Sequence, residues 1–258
     1  TGRTDTLRSV DKYSIDNDGT RLAVVYKKSK KDSLSKDAVE LIALDKMDRS
    51  VLSEGKKFYS QPKFNAAGDK LVFLASSDSN GTGSRHCSVF LYENGTAEEI
   101  IPQNYKAGLP EGFTVTEKAN PKFSRLSSRI FLGIAEPIPP KDTTLVDFET
   151  AQVDIWHWDR YLIPPAEKAP RNKVNEATVS AVINLNGNRH GIVPLGADIF
   201  EKLLLIDGGE GNEAIAVNRT AYQLRATWDD NNLHDVYRVN LTTGNREPIF
   251  KRLNGNPG

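Results

Sequence analysis

Four histidines and one cysteine are the side chains of this sequence best suited to metal, acid–base or nucleophilic chemistry. His86, His157, His190 and His234 are dispersed, and no two share the HxH or HxxxH spacing that holds two imidazoles on one element. No carboxylate recurs at a fixed distance from them, so local spacing builds no metal centre, and the reading is no metal and no cofactor. Cys87 is the single cysteine, which leaves neither a disulfide within one chain nor a thiolate metal site. In a strand its neighbour His86 would point to the opposite face, so Cys87 reads as a buried structural thiol rather than a nucleophile.

The stretch "VDIWHWDRYLIPPAEKAP", 153–170, gathers the most unusual side chains. If it is extended, Asp154, Trp156 and Trp158 share one face, while Val153, Ile155, His157 and Asp159 share the other. Two indoles on one face suit stacking on a peptide proline or a sugar ring, but packing against a neighbouring sheet is the commoner use of such a pair. Pro164 and Pro165 cannot continue a sheet interior, so 160–176 is expected to leave the sheet as an exposed excursion.

Other motifs read as structural. "DGGEGNE", 207–213, lacks the Lys-Ser/Thr and the following helix of a phosphate loop, and is expected to be a hairpin turn. "YKKSKKD", 26–32, is a basic run between strands whose charge flanking acids offset. Asp229, Asp230, Asn231 and Asn232 offer oxygen ligands without EF-hand spacing, and read as a polar loop held by side-chain to backbone hydrogen bonds. Asn80, Asn94, Asn218 and Asn240 begin NxT sequons, which matter only in a eukaryotic secretory host.

The elements that must position these residues come from a repeat. "SIDNDGTRLAVVY" (14–26), "KFNAAGDKLVFLA" (63–75) and "KFSRLSSRIFLGIA" (122–135) share an apolar residue, a tight polar turn, a basic residue and an apolar run. Gly19 and Gly68 align in the turns where positive backbone angles are needed, whereas the third copy carries Ser127 there. A second hairpin type follows in "VELIALDKMDRSVL" (39–52), "SVFLYENGTAEEI" (88–100) and "DVYRVNLTTGNREPI" (235–249). Two hairpins make four strands per repeat. The runs "LAVVY", "LVFLA" and "RIFLGIA" are apolar on both faces, as strands sandwiched between neighbouring sheets should be.

Four-stranded units recurring at roughly 50 residues are the signature of an all-β fold, the β-propeller of antiparallel blades. Blades are expected at 10–54, 56–101, 113–195 with an insertion at 136–176, and 197–250, in one propeller region spanning 1–258. Four to five blades are visible, and an arc of a larger seven- or eight-bladed ring is the alternative to a closed one. The 258 residues carry 34 Lys+Arg against 34 Asp+Glu, so there is no field to gather nucleic acid or an anionic membrane. Apolar runs such as "LVFLA" and "LLLI" are strand-sized, far short of a bilayer span. A start at Thr1 and an end at "NGNPG" read as the edges of a longer chain whose export signal or further domains lie outside.

"DNDGTRLAVV" and "NAAGDKLVF" resemble the repeats of TolB-like and dipeptidyl-peptidase-like propellers. "WHWDRYLIPPAE" and "AYQLRATWDDNNLHDVYRVNLTTGNREPI" resemble the propeller of bacterial, Bacteroides-type peptidases of the prolyl oligopeptidase family. The resemblance implies a serine peptidase whose propeller filters peptides before an α/β-hydrolase domain, which would be a partner within the same parent chain, and a periplasmic or extracellular location. No GxSxG elbow occurs in these residues, and "GTGSRH" (81–86) lacks the second glycine, so no catalytic residue is assigned. Glu98 and Glu99 lie in a strand-like tail and diverge, unlike the paired acids that hold a substrate amino terminus in dipeptidyl peptidases. The alternatives are a free-standing TolB-like propeller that binds a protein partner and, more remotely, a polysaccharide-degrading propeller using the histidines.

Overall fold

In the computed structural model the described residues are 6–29, 36–79, 83–140, 177–187, 190–227 and 231–255. They form four antiparallel meanders of four strands, each sheet ordered as its strands follow in sequence. The first holds β1 (Val10–Ile15), β2 (Arg21–Tyr26), β3 (Ala38–Ala43) and β4 (Asp48–Glu54). The second holds β5 (Phe58–Phe64), β6 (Leu71–Ser76), β7 (Ser88–Glu93) and β8 (Thr96–Ile101). The third holds β9 (Lys122–Phe123), β10 (Arg129–Ile134), β11 (Val179–Asn184) and β12 (Ile192–Pro194). The fourth holds β13 (Lys202–Leu205), β14 (Glu213–Asn218), β15 (Leu233–Asn240) and β16 (Arg246–Asn254). These are propeller blades. No helix among the described residues is long and apolar enough to cross a membrane.

The six stretches expected as hairpins pair as hairpins, and the two-faced apolar strands split their side chains by parity. Leu71, Phe73 and Ala75 of β6 join Ala23, Val25 and Val39 of the first sheet, while Val72 and Leu74 join Ile130, Leu132 and Ile134 of the third. On β11, Ala181 and Ile183 face the second sheet, and Val182 packs with Ala214, Ala216 and Val239 of the fourth. One strand therefore serves two cores. Among the described residues apolar clusters join first to second, second to third and third to fourth sheets, but none joins fourth to first, so the four blades form an open arc.

Turns between the first two strands of each blade are built alike. Gly19 at φ 67°, Gly68 at φ 72° and Ser127 at φ 64° occupy one left-handed position, so the third copy keeps the geometry without the glycine. Each donates its N–H to the carbonyl of the residue three before it, namely Asp16, Asn65 and Ser124. Those three side chains in turn accept from the backbone N–H of Arg21, Lys70 and Arg129. Each turn also reaches the next. The Arg21 guanidinium donates to the Gly68 carbonyl at 2.8 Å, and Asn65 Nδ2 donates to Ser127 Oγ at 2.9 Å. The stretch 207–213 forms the β13–β14 connection, a turn in which Asp207, Gly208 and Gly209 take left-handed φ of 50°, 62° and 84°, and the carbonyls of Gly209, Glu210 and Gly211 accept from Arg129.

Asp16 is buried in its turn. Burial alone would raise its carboxyl pKa, but hydrogen bonds from Arg21 and Thr20 and the Arg21 charge hold it below the ordinary carboxylate range. A depressed folded pKa stabilises the protein above the unfolded value and loses that stabilisation as pH falls through the folded one. Asp16→Asn should therefore cost about 1–2 kcal/mol near neutrality, and the gap to the parent should narrow below about pH 4. Urea unfolding at several pH values reads this, and a pH-independent gap would contradict the assignment.

Candidate functional site

The meander topology sorts the connections into two ends. One end carries the short turns 16–20, 65–70, 124–128 and 206–212. At the other the second strands end and the third begin, where the described stretches 27–29, 36–37, 77–79, 83–87, 135–140, 177–178, 219–227 and 231–232 leave the blades, together with the crossovers between blades. Connections presented on a scaffold of sheets are the usual setting for a site.

At that end, between the second and third blades, lies a cavity of about 760 Å³, a size usual for ligand pockets. Tyr105, Leu109, Pro110 and Phe113 of the crossover 102–121 form its apolar wall, with His86 and Pro137 from the two neighbouring connectors. A second cavity of about 360 Å³ adjoins it, lined by Ile138, Val179 and Ile199 among others, and Phe113 lines both. The Glu136–Ile138 segment borders both, Pro137 lining the larger cavity and Glu136 and Ile138 the smaller. This segment is pinned to the second blade, because Ser84 N–H donates to the Ile138 carbonyl at 2.8 Å and Ile138 N–H to Ser84 Oγ at 3.1 Å. Gly83 is required beneath it, since a Cβ there would stand 2.5 Å from the Ile138 carbonyl oxygen.

His86 stands at the rim of the larger cavity. Asp78 accepts from the His86 backbone N–H at 2.8 Å, lies 3.2 Å from Nδ1, and accepts from Gln103 Nε2 at 2.7 Å. Burial pulls the Asp78 carboxyl upward, yet the donors and charge of His86 and the Gln103 amide outweigh it and keep it below the usual range. An ionised acceptor places the proton on Nδ1 and turns Nε2 away from Asp78. Tyr105 is fixed by its hydroxyl, which accepts from Ile192 N–H at 3.3 Å.

The other candidates do not converge. His190 Nδ1 contacts the Asn184 carbonyl and the buried His234 Nδ1 contacts the Asn232 carbonyl, so the three described histidines serve three different blades. Among the described residues no three His, Cys, Asp or Glu side chains are grouped to hold a metal. Trp156, His157, Trp158 and the rest of 153–170 lie outside the described residues, as do Asn80, Asp229 and Asp230. Asn231 and Asn232 bond to Asn254, and Glu98 and Glu99 pair with Leu91 and Phe90 as successive positions of β8. Asn218 donates to both Asp198 and Glu201, and Glu201 forms a salt bridge with Arg246, a polar knot that ties the 195–201 crossover to β14 and β16.

Cys87 sits at the base of the second connector with 1% of its surface exposed, and burial, then the nearby Glu117 carboxylate, pushes its thiol pKa upward. A thiol in that state is a poor nucleophile. A disulfide reagent should label none of the native protein at pH 8 and one equivalent after unfolding in guanidinium; rapid native labelling would exclude a buried thiol.

The crossover 102–121 is the part of the site that sequence patterns pass over. Its apolar Tyr105, Leu109 and Phe113 stand four apart, as on one face of a helix, but Gly108, Pro110 and Gly112 between them break a helix and the segment runs in turns, so that only its length relative to 55–57, the first crossover, marks it.

No family model matches the chain, and no curated protein does. Solved structures do show similar arrangements. The tricorn protease aligns over 97% of this chain and 23% of its own, at 9% identity and a TM-score of 0.47. Porphyromonas gingivalis dipeptidyl peptidase 4 aligns over 98% of this chain and 34% of its own, at 13% identity and a TM-score of 0.46. The β-propeller domain of the Trilobed protease from Pyrococcus furiosus aligns over 94% and 58%, at 9% identity and a TM-score of 0.42. The chain thus spans well under two thirds of each of these three chains, and its assignment as blades rests on its own four sheets.

Proposed function

We propose that this chain is the non-catalytic β-propeller of a prolyl-oligopeptidase-like serine peptidase, admitting and orienting peptide segments for a hydrolase domain outside residues 1–258. The observation that carries this reading is the pair of adjoining, mainly apolar cavities at the crossover end, held on the blades. Such a scaffold favours reaction by exclusion and orientation and needs no reactive group of its own. The blade boundaries 10–54, 56–101, 113–195 and 197–250 and an exported, periplasmic or extracellular location belong to the same proposal.

A second reading, a free-standing propeller that binds a protein partner, draws on β16, where Ile249, Phe250 and Leu253 are exposed along an edge strand. Sequencing the parent reading frame beyond Gly258 separates the two. A GxSxG elbow followed by Asp and His, with peptide hydrolysis blocked by an active-site-serine inhibitor, supports the peptidase; a stop codon soon after Gly258 leaves only the binding propeller.

A further inference from the structure

The first strands of the four blades share a charge pattern. β1, β5, β9 and β13 each carry one lysine, Lys12, Lys63, Lys122 and Lys202, against a single carboxylate, Asp11, and all four lysines are exposed. Register gives them one direction. Lys12 stands opposite Val25, Lys63 opposite Val72, Lys122 opposite Phe131 and Lys202 opposite Val217, and directly opposed residues share a face of the sheet. Val25, Val72 and Phe131 pack toward the next blade in the chain. Val217 lies on the face of β14 away from the third blade, because Ala214 and Ala216 pack toward it. Each lysine therefore leaves its blade on the same side. Counted from the short turn, Lys63 and Lys122 hold one level, and Lys12 and Lys202 stand two residues further along, about 6.5–7 Å.

Propeller blades stand around a central channel, which one edge of every sheet must face. Here that edge is the first strand, since β5 lies against both β1 and β2, and Lys12 Nζ donates to Ser60 Oγ at 2.8 Å. Among the described residues no carboxylate pairs with Lys12, Lys63 or Lys122, whereas Lys36, Lys56 and Lys70, elsewhere around the first two blades, meet Glu54, Glu99 and Glu93. We propose that these lysines form one binding band, along the inner edge of the blades, for a polypeptide segment rich in Asp or Glu. As a statement about substrate this rests on the peptidase reading. An ammonium is a point charge on a flexible stem, so a row of them selects carboxylates without demanding one spacing. Nucleic acid is the poorer match, because the chain has no net charge and its first strands hold no arginine to grip phosphate bidentately.

The test uses the whole 258-residue chain and the capped peptide Ac-Glu-Glu-Glu-Glu-NH2, titrated in about 20 mM salt by calorimetry and amide chemical shifts, with the all-glutamine peptide as its uncharged match. Only the glutamate peptide should bind, shifting the Lys63 and Lys122 amides and sparing β16, a readout that needs no variant. Salt at about 0.3 M should weaken it at least ten-fold. The double variant Lys63→Gln/Lys122→Gln should also bind about ten-fold more weakly. Lys46→Gln/Lys251→Gln removes the same charge from the β3–β4 turn and from β16, and should stay within about two-fold of the parent. The proposal is overturned by an absence of binding at millimolar peptide, by a glutamine peptide that binds as well, by equal losses in the two double variants, or by shifts centred elsewhere. Tighter binding of an oligothymidylate of matching charge at the same amides would also overturn it, and would assign the band to nucleic acid. A stop codon soon after Gly258 would remove the peptidase reading and leave these binding results standing, so the two failures are distinguishable.

Discussion

Arg129→Met should lower the unfolding free energy by about 3–5 kcal/mol, read as a fall in the urea midpoint with little change in slope. Arg129 is 8% exposed and fastens the third blade to the fourth. Its Nη1 reaches the carbonyls of Gly209, Glu210 and Gly211 at 2.8, 3.0 and 2.8 Å, Nη2 reaches Asn212 Oδ1 at 3.2 Å, and Nε reaches Asn184 Oδ1 at 2.9 Å. Methionine keeps much of the volume but leaves three backbone carbonyls short of donors, and an unsatisfied buried acceptor costs more than a hydrogen bond gains. Arg129→Lys should recover only part of the loss, since a single ammonium cannot reproduce the planar fork.

The control lies four residues away. Arg125 meets Asp207 at 3.0 Å across the same joint, but their side chains are 55% and 61% exposed, so Arg125→Ala should change stability by no more than about 1 kcal/mol. Hydrogen exchange adds a spatial readout. In the Arg129 variant the amides of β13–β16 should lose protection before those of β5–β8, because blades in series lean on their neighbours. Equal loss in all four blades would show that Arg129 does not act at one joint.

Phe73→Ala should cost about 3–5 kcal/mol by the same measurement. Phe73 is fully buried, stacks on Phe90 with ring centroids 5.1 Å apart, and tilts against Tyr59 at 6.3 Å. It fills the joint between first and second blades, beside Ala23 and Val25, whose small side chains leave room for the ring and cannot close over its absence. Phe73→Leu, which conserves more of the volume, should cost less than half as much. Phe250→Ala provides the contrast, because that ring is 57% exposed on β16 and its loss should fall within about 0.5 kcal/mol. A Phe73→Ala protein as stable as its parent would mean that the joint collapses around the cavity.

Much of the blade architecture is legible along the chain because it is local. The "DNDGTRLAVV" turn encodes its own φ through Gly19, its own cap through Asp16 and its own strand through the apolar run that follows, all within a few residues. Ser127 shows the limit of that legibility. The residue type departs from the repeat, yet the backbone adopts φ 64° because flanking strands fix the turn, and the Ser127 hydroxyl accepts a hydrogen bond from Asn65 of the preceding blade. Likewise the apolar residues of β6 announce burial on two faces, but only packing assigns Phe73 to one blade and Leu74 to another.

From sequence alone follow the four-stranded repeat, the hairpin turns, the balance of charge and the lack of local metal or nucleophile spacing, since each depends on neighbours a few residues apart. Tertiary structure decided the rest. It brought His86, Phe113 and Pro137 around one cavity, gave Arg129 its acceptors some eighty residues away and, among the described residues, left no apolar cluster between the first and fourth blades. Those outcomes depend on how crossovers of irregular pattern settle against finished sheets, and no period along the chain carries that information.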